Sequence, residues 1–551
     1  MNSSQKKKEE SKYYSIVCER VVRKEKRQKI QTNLSMNRSS LVGQIFAMII
    51  IGLGFNWILQ GFSRFAVLCT LFNAYGLLYV DGRIHLAGQQ YEWPFLKRGD
   101  SLLGDYCSVY FAIECIFFVY LCVLKYGVFN FTPAPLPVNN ATFPRARRRL
   151  LFERMIDFLK RVGIDEGKLW LQGWFFGAKY SELGGENLIE FLAFAYFKIK
   201  DLKDVTLEHR LELVEYRKTL YSFFGALPNE YRENIPCMKN SVDSILPNVK
   251  DHPLVLYAVV RIFLGIFCSR AMLLYYGFRK YEGDLNYTCY VKKPSVHGSG
   301  ASVPLLFFHG IGIGWFPYVK WIQRFSTYES RTVIVIEQSN VAVEFPNPFM
   351  PCSMNDMCAA TQKILSNPEY LGIAGNPGDD QKIDLLGHSY GTCPVAWIIR
   401  YFPHNVRLVT LVDPVCMQLY RSDVCHRFLY SPSALNMVDA FLSHLLQDVG
   451  VTRTLMRSFD WFNNTLFLEE VEHLDVEVIL SENDHFTPSR GIAAEIDKWS
   501  RSKIGVQTLP KFAHGQSIFD DAGVSAVLRC VERTSLPMPR RSARIRKKPV
   551  K

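Results

Sequence analysis

A serine hydroxyl becomes a useful nucleophile only where the backbone lifts it clear of its neighbours and a base stands ready to take its proton. Ser389 meets the first condition: it lies in Gly387-His388-Ser389-Tyr390-Gly391, between the apolar run IDLLG and the helix-forming TCPVAWIIRYF, so it falls at a strand-to-helix turn. Glycines at 387 and 391 permit a turn too tight for side chains, and the helix that follows brings its positive end and free N–H groups beneath a developing oxyanion. For the base, His514 sits in Pro510-Lys511-Phe512-Ala513-His514-Gly515, just after the strand-like IGVQTL. His388 adjoins the serine but must point elsewhere by geometry, and His485 adjoins the candidate acid and cannot reach around it. The base in turn needs a carboxylate to hold its tautomer. Asp484, in the loop after VEVIL, fits the chain order serine, acid, histidine, while Asp413, ending RLVTLVD, competes for the same role.

The fourth part of such a site is a pair of oxyanion donors. The run VPLLFF ends in His309-Gly310-Ile311-Gly312-Ile313-Gly314, whose glycines let the backbone turn an N–H toward the serine. Ile311 or Gly312 supplies it, beside the N–H of Tyr390, with His309 and Gly310 in the same loop; the spacing is not that of a phosphate cradle.

These residues must be positioned by a parallel sheet. Short β-rich runs at Leu305–His309, Thr332–Glu337, Ile383–Gly387, Val406–Asp413, Val476–Glu482 and Ile504–Leu509 alternate with helical stretches, the pattern of an α/β domain with crossover helices. Continuous apolar strands such as VIVI are buried on both faces. Each chemical residue follows one of these runs. Residues 415–475 form an insertion with helical patterns whose apolar faces fit a lid over the carboxyl ends of the strands.

The net charge of +13 lies in the tails: residues 1–40 carry eleven Lys/Arg against four Glu, and residues 540–551 add seven basic residues with no acid. The body is near neutral, which argues against a nucleic-acid-binding domain and leaves the tails either solvated or facing anionic lipid headgroups. The fourteen cysteines are scattered with no CxxC pair, giving neither a zinc site nor a disulfide framework and favouring a reducing compartment. No metal or organic cofactor is called for.

Residues 41–127 contain the membrane candidates. Leu41–Val80 holds one basic residue, Arg64, and fits two helices at about 41–60 and 62–80. A third run at about 106–124 has Glu114 at its centre, which either faces Arg64 or a polar cavity, or marks a half-inserted or protonated position. After a proline-rich linker (132–144), residues 145–290 read as helical, including LLFERMIDFLKRV and NLIEFLAFAYF; the aromatic WLQGWFFGAKY (Trp170–Tyr180) reads as packing. Within it, 254–278 is apolar but carries Arg261 and Arg270, so an interfacial or core helix competes with a span. Basic clusters at both ends of the three apolar runs both belong on the cytoplasmic side, so either two segments cross fully or a fourth restores the balance; both options leave the catalytic domain of an integral membrane protein in the cytosol.

From HGIGIG through GHSYG and the Asp484 loop to His514, residues 295–530 resemble the α/β-hydrolase superfamily, ahead of a basic tail at 531–551. With its anchor and the preceding GWFFGA, the chain looks like a membrane-anchored eukaryotic group of that superfamily, frequent in fungi, a likeness that implies no substrate. The expected fold is a mostly parallel sheet with helices on both faces and a helical lid, preceded by transmembrane helices and a helical region. The expected function is a membrane-bound serine hydrolase acting on a carboxylic ester, a lipid or another hydrophobic acyl substrate. An acyltransferase using the same acyl-enzyme, or a non-catalytic membrane scaffold, are the alternatives.

Overall fold

A computed structural model describes residues 83–86, 89–92, 102–129, 143–239, 249, 252–281, 288–295, 302–343, 353–368, 381–430, 442–443, 445–499 and 504–533. The segments expected at 41–60 and 62–80, the linker core, the N-terminal tail and residues 534–551 of the C-terminal tail lie outside them.

After a small hairpin of β1 (Arg83–Leu86) and β2 (Gln89–Glu92), the remaining strands form one sheet. They are β3 (Arg279–Lys280), β4 (Cys289–Lys292), β5 (Ser302–Phe308), β6 (Arg331–Ile336), β7 (Ile383–His388), β8 (Val406–Val412), β9 (Asp475–Ser481) and β10 (Ile504–Leu509). Their order is β10-β9-β8-β7-β5-β6-β4-β3, with β4 antiparallel to β6, β3 antiparallel to β4, and every other pairing parallel. All six expected strands are present with ends shifted by at most a few residues. The sheet nevertheless begins before residue 295: β3 and β4 fall in the stretch read as helical, because strands of two and four residues at one edge are too short to show a period.

Alternation along the buried strands builds two cores. In β5, Leu306 and Phe308 join Ile398 of α9 (Thr392–Tyr401), Met357 of α8 (Met354–Leu365) and Ile492 of α11 (Ser489–Lys498) on one face. Leu305 and Phe307 join Trp321 of α7 (Val319–Ser326) and Val527 of α12 (Asp521–Val531) on the other. A side-chain period of two feeds both layers from one strand.

The helical region is not a separate body. Helices α2 (Arg145–Val162), α3 (Ile164–Trp174), α4 (Gly185–Phe197) and α5 (Leu207–Phe224) share a core with Tyr420, Phe462 and Phe467 of the insertion. Trp170 Nε1 donates to Tyr420 O at 2.9 Å, and Trp461 Nε1 to Ala195 O at 2.8 Å. Between α2 and α5, the buried Arg148 makes paired bonds to Glu212 at 3.1 and 2.8 Å and lies over the Phe197 ring. In the insertion itself the longest described helix is α10 (Val449–Arg457).

Arg64, one partner expected for Glu114, lies outside the described residues, and the structure gives Glu114 partners that the sequence did not show. It lies on α1 (Leu102–Cys122) and accepts the N–H groups of Leu254 and Val255 at 2.9 and 3.3 Å, capping the N-terminus of α6 (Leu254–Tyr275). Four N–H groups at a helix start have no intrahelical acceptor, so a carboxylate from a neighbouring helix is a favourable partner there. The Phe117 and Tyr257 rings meet beside this cap, 5.4 Å apart. Arg270 and Arg261 are placed near Tyr290 and Glu337, with Arg270 hydrogen-bonded to the phenol.

Candidate active site

The carboxyl ends of β5, β7, β8 and β9, with the loop after β10, converge on one point. At the end of β7 the backbone turns through Ser389 at φ 53, a left-handed conformation that costs a non-glycine residue about 1–3 kcal/mol and is retained where the surroundings enforce it. The surroundings are tight: a Cβ on Gly391 would lie 2.3 Å from Phe308 O, and one on Gly310 would lie 2.8 Å from Ser389 Cβ. Both glycines are required by close approach. The nucleophile turn is thereby pressed against the end of β5, and Thr392 fixes its other side, donating to Ser389 O at 2.6 Å and accepting from Cys416 N at 3.1 Å.

Ser389 Oγ is 2.8 Å from His514 Nε2, and His514 Nδ1 is 2.7 Å from Asp484 Oδ2. Asp484 Oδ1 accepts N–H bonds from Phe486 at 2.7 Å and Thr487 at 2.8 Å, which fixes the carboxylate plane. Burial works to raise the Asp484 pKa, yet His514 beside it and the bonds from Thr487 outweigh that and hold the carboxyl below its usual value. It is therefore charged where an imidazolium must be stabilised.

Asp413, the competing acid, is turned to other work. Its Oδ1 accepts Ser481 N at 2.8 Å, and its Oδ2 accepts Ser481 Oγ at 3.0 Å and Gly515 N at 2.9 Å. It ties the loop that carries Asp484 to the loop that carries His514. Complete burial, with the charge of Asp484 close by, pushes its pKa up to about 6. Asp413, Asp484 and His514 have ligand-type atoms within 4.8 Å of one another, as a metal site would. Those atoms are committed to each other, to Ser389 and to Ser481 and Gly515, which does not suit a cation.

The two expected donors of the loop after β5 differ in their hydrogen bonds. Gly312 N–H is spent on Val341 O at 3.0 Å and Gly312 O accepts Val343 N at 2.9 Å, so Gly312 serves as a clamp and not as a donor. Gly310 N–H goes to the Tyr318 hydroxyl at 2.9 Å. Among the described residues Ile311 N–H has no acceptor, which leaves it able to meet a developing oxyanion. His309 braces the loop: its Nδ1 is 2.7 Å from Gly310 O, its Nε2 accepts Gln338 N at 2.8 Å, and burial lowers its pKa to about 4, keeping it neutral. His388 points away from the serine, as geometry requires, to Tyr318 Oη at 2.7 Å. The sequence reading gave no role to Tyr318, Thr392, Gln338 or Ser481, each of which has at least one hydrogen-bond partner more than twenty positions away.

A sheet in this order, with a strained serine between β7 and α9 and its acid and histidine after β9 and β10, is a specific combination. The chain has the α/β-hydrolase fold. No family model matches the sequence, and no curated protein matches it. Among solved structures similar to this chain, the naproxen esterase (carboxylesterase NP) of Bacillus subtilis is 15% identical over 47% of this chain and 94% of its own, with a TM-score of 0.33. A membrane phospholipase A, a bacterial virulence factor, is 13% identical over 51% of this chain and 94% of its own, with a TM-score of 0.36. An esterase of the fungus Rhizomucor miehei is 13% identical over 45% of this chain and 79% of its own, with a TM-score of 0.33.

Proposed function

We propose that this protein is a membrane-bound serine hydrolase that cleaves a carboxylic ester of hydrophobic character. The observation that carries the reading is the unbroken hydrogen-bonded chain Ser389–His514–Asp484, with the Ile311 N–H left without an acceptor in the loop after β5. Ser389 Oγ attacks the acyl carbon as His514 Nε2 takes its proton, and the Ile311 and Tyr390 amides hold the oxyanion. His514 then gives that proton to the leaving alkoxide as the ester C–O bond breaks, leaving the acyl group on Ser389. Water, deprotonated by His514, cleaves the acyl-enzyme and restores the serine.

The membrane part rests on α6, which is 22 residues long with mean hydropathy 1.8, enough to cross a bilayer by length and composition. Ile262, Phe263 and Phe267 on α6 and Ile113, Ile116 and Val119 on α1 are exposed, an apolar surface that suits lipid. The inner side of α6 adjoins the oxyanion loop, with Ser269 and Leu273 facing Ile313 and Trp315 across a small cavity, so the site lies close to the bilayer in this reading. Buried free thiols such as Cys237, Cys393 and Cys416 suit a catalytic domain in the cytosol.

The test is hydrolysis of p-nitrophenyl esters by the full chain in detergent, with Ser389→Ala alongside. Turnover by the wild type that falls at least a thousandfold in the variant is expected. Equal turnover by the two would overturn the assignment, and product analysis with an added alcohol separates hydrolysis from acyl transfer.

A further inference from the structure

Between the helical region and the insertion lies a cavity of about 70 Å³, larger than a single water needs. Trp170, Trp174 and Phe191 of α3 and α4 form one wall, and Leu419, Phe428 and Phe459 of the insertion form the opposite one. Tyr390, the residue after Ser389, also lines it, with its ring 6.1 Å from that of Phe459. The polar edges of the walls are largely committed elsewhere: Trp170 Nε1 to Tyr420 O and Trp461 Nε1 to Ala195 O, while Trp174 Nε1 is buried without a partner. What faces the cavity is mostly hydrocarbon and aromatic ring.

Tyr390 follows Ser389 in the chain and lines the void, and Ser389 and His514 are only 4% and 3% exposed, so a large apolar space adjoins the nucleophile turn while little of the site opens to solvent. A void with this lining excludes charged and strongly hydrated groups, which would lose their water without a partner in return. It accepts methylenes.

We propose that this cavity receives the acyl chain, that the substrate is an ester of a straight fatty acid, and that Trp170, Trp174 and Phe191 set the length accepted. These three side chains lie on helices outside the hydrolase sheet, so specificity for the reaction at the end of β7 is read by the helical region. The inference rests on Ser389 being the nucleophile. It also bears on the aromatic segment Trp170–Tyr180, for which the sequence favours packing over ligand binding: Trp170 both packs on Phe191, at 5.9 Å between rings, and lines the void.

The test is a series of p-nitrophenyl esters from acetate to hexadecanoate, given to the full chain in detergent. In the wild type, kcat/KM should rise roughly fourfold for each methylene that the cavity buries, then level off. Ala195→Phe, which fills the void from α4, should lower the dodecanoate-to-acetate ratio of kcat/KM at least tenfold. Trp174→Ala, which removes a half-buried wall, should move the plateau to longer chains. Melting temperatures identify a variant that fails to fold, in which case the other decides. Wild-type profiles in folded variants that still turn over esters would overturn the cavity assignment and leave the hydrolase reading standing. Absence of ester turnover by the wild type, together with no fluorophosphonate adduct on Ser389, would remove both.

Discussion

Two aspartates stand near His514, and replacing each by asparagine should separate their roles. In Asp484→Asn the side-chain oxygen must stay where it accepts Phe486 and Thr487 N–H, at 2.7 and 2.8 Å, because an amide nitrogen there would face two donors. The new NH2 group then faces His514 Nδ1, which must become the acceptor, and the ring proton moves to Nε2. An imidazole in that tautomer cannot take the Ser389 proton. The expected loss in kcat is about ten-thousandfold, or about 5 kcal/mol of transition-state stabilisation. In Asp413→Asn the three donors from Ser481 N, Ser481 Oγ and Gly515 N meet one oxygen and one NH2, so one buried N–H is left facing a donor. That costs about 1–3 kcal/mol of stability, with the catalytic hydrogen bonds still in place. Steady-state hydrolysis of p-nitrophenyl butyrate and thermal melting of both variants provide the measurement. The reasoning is refuted if Asp413→Asn loses as much kcat as Asp484→Asn at unchanged stability, or if Asp484→Asn keeps a tenth of the wild-type rate.

Tyr318→Phe leaves the buried Gly310 N–H and His388 Nδ1 without the hydroxyl that joins them, so kcat should fall about tenfold with little change in KM, read from the same ester assay. Glu212→Ala strands the buried Arg148 guanidinium and should destabilise the protein by about 3–5 kcal/mol, measured by denaturant unfolding of the detergent-solubilised chain. Asp448, fully buried and accepting Tyr257 Oη–H and the Gly450 and Val451 N–H groups, has its pKa raised by burial to about 6. Folding therefore takes up a proton there between about pH 4 and 6, and stability contributed by this group is present below that window and lost as pH rises through it. The melting temperature of Asp448→Asn relative to wild type should climb from pH 4.5 to 7; a constant difference would contradict the assignment.

Legibility in the sequence followed the range of the interaction. Strands such as RTVIVI declare themselves because both faces are buried, and Gly-x-Ser-x-Gly, Asp484 and His514 declare themselves because each lies at a strand end in a fixed order. The choice between Ile311 and Gly312 did not, since it turns on one hydrogen bond from Gly312 to Val341. Nor did the placing of Glu114 at the start of α6, 140 residues away. The joining of the helical region to the insertion was invisible for the same reason: Trp170 and Tyr420 are 250 positions apart, and an aromatic segment looks alike whether it packs against protein or lines a void.

The most direct test of the central claim is the site of covalent modification. The full chain in detergent is treated with a fluorophosphonate probe, digested, and its peptides mapped by mass spectrometry. One adduct on Ser389, lost in His514→Ala as well as Ser389→Ala, is the expected result. An adduct on another residue, or labelling of Ser389 at an equal rate without His514, would contradict it.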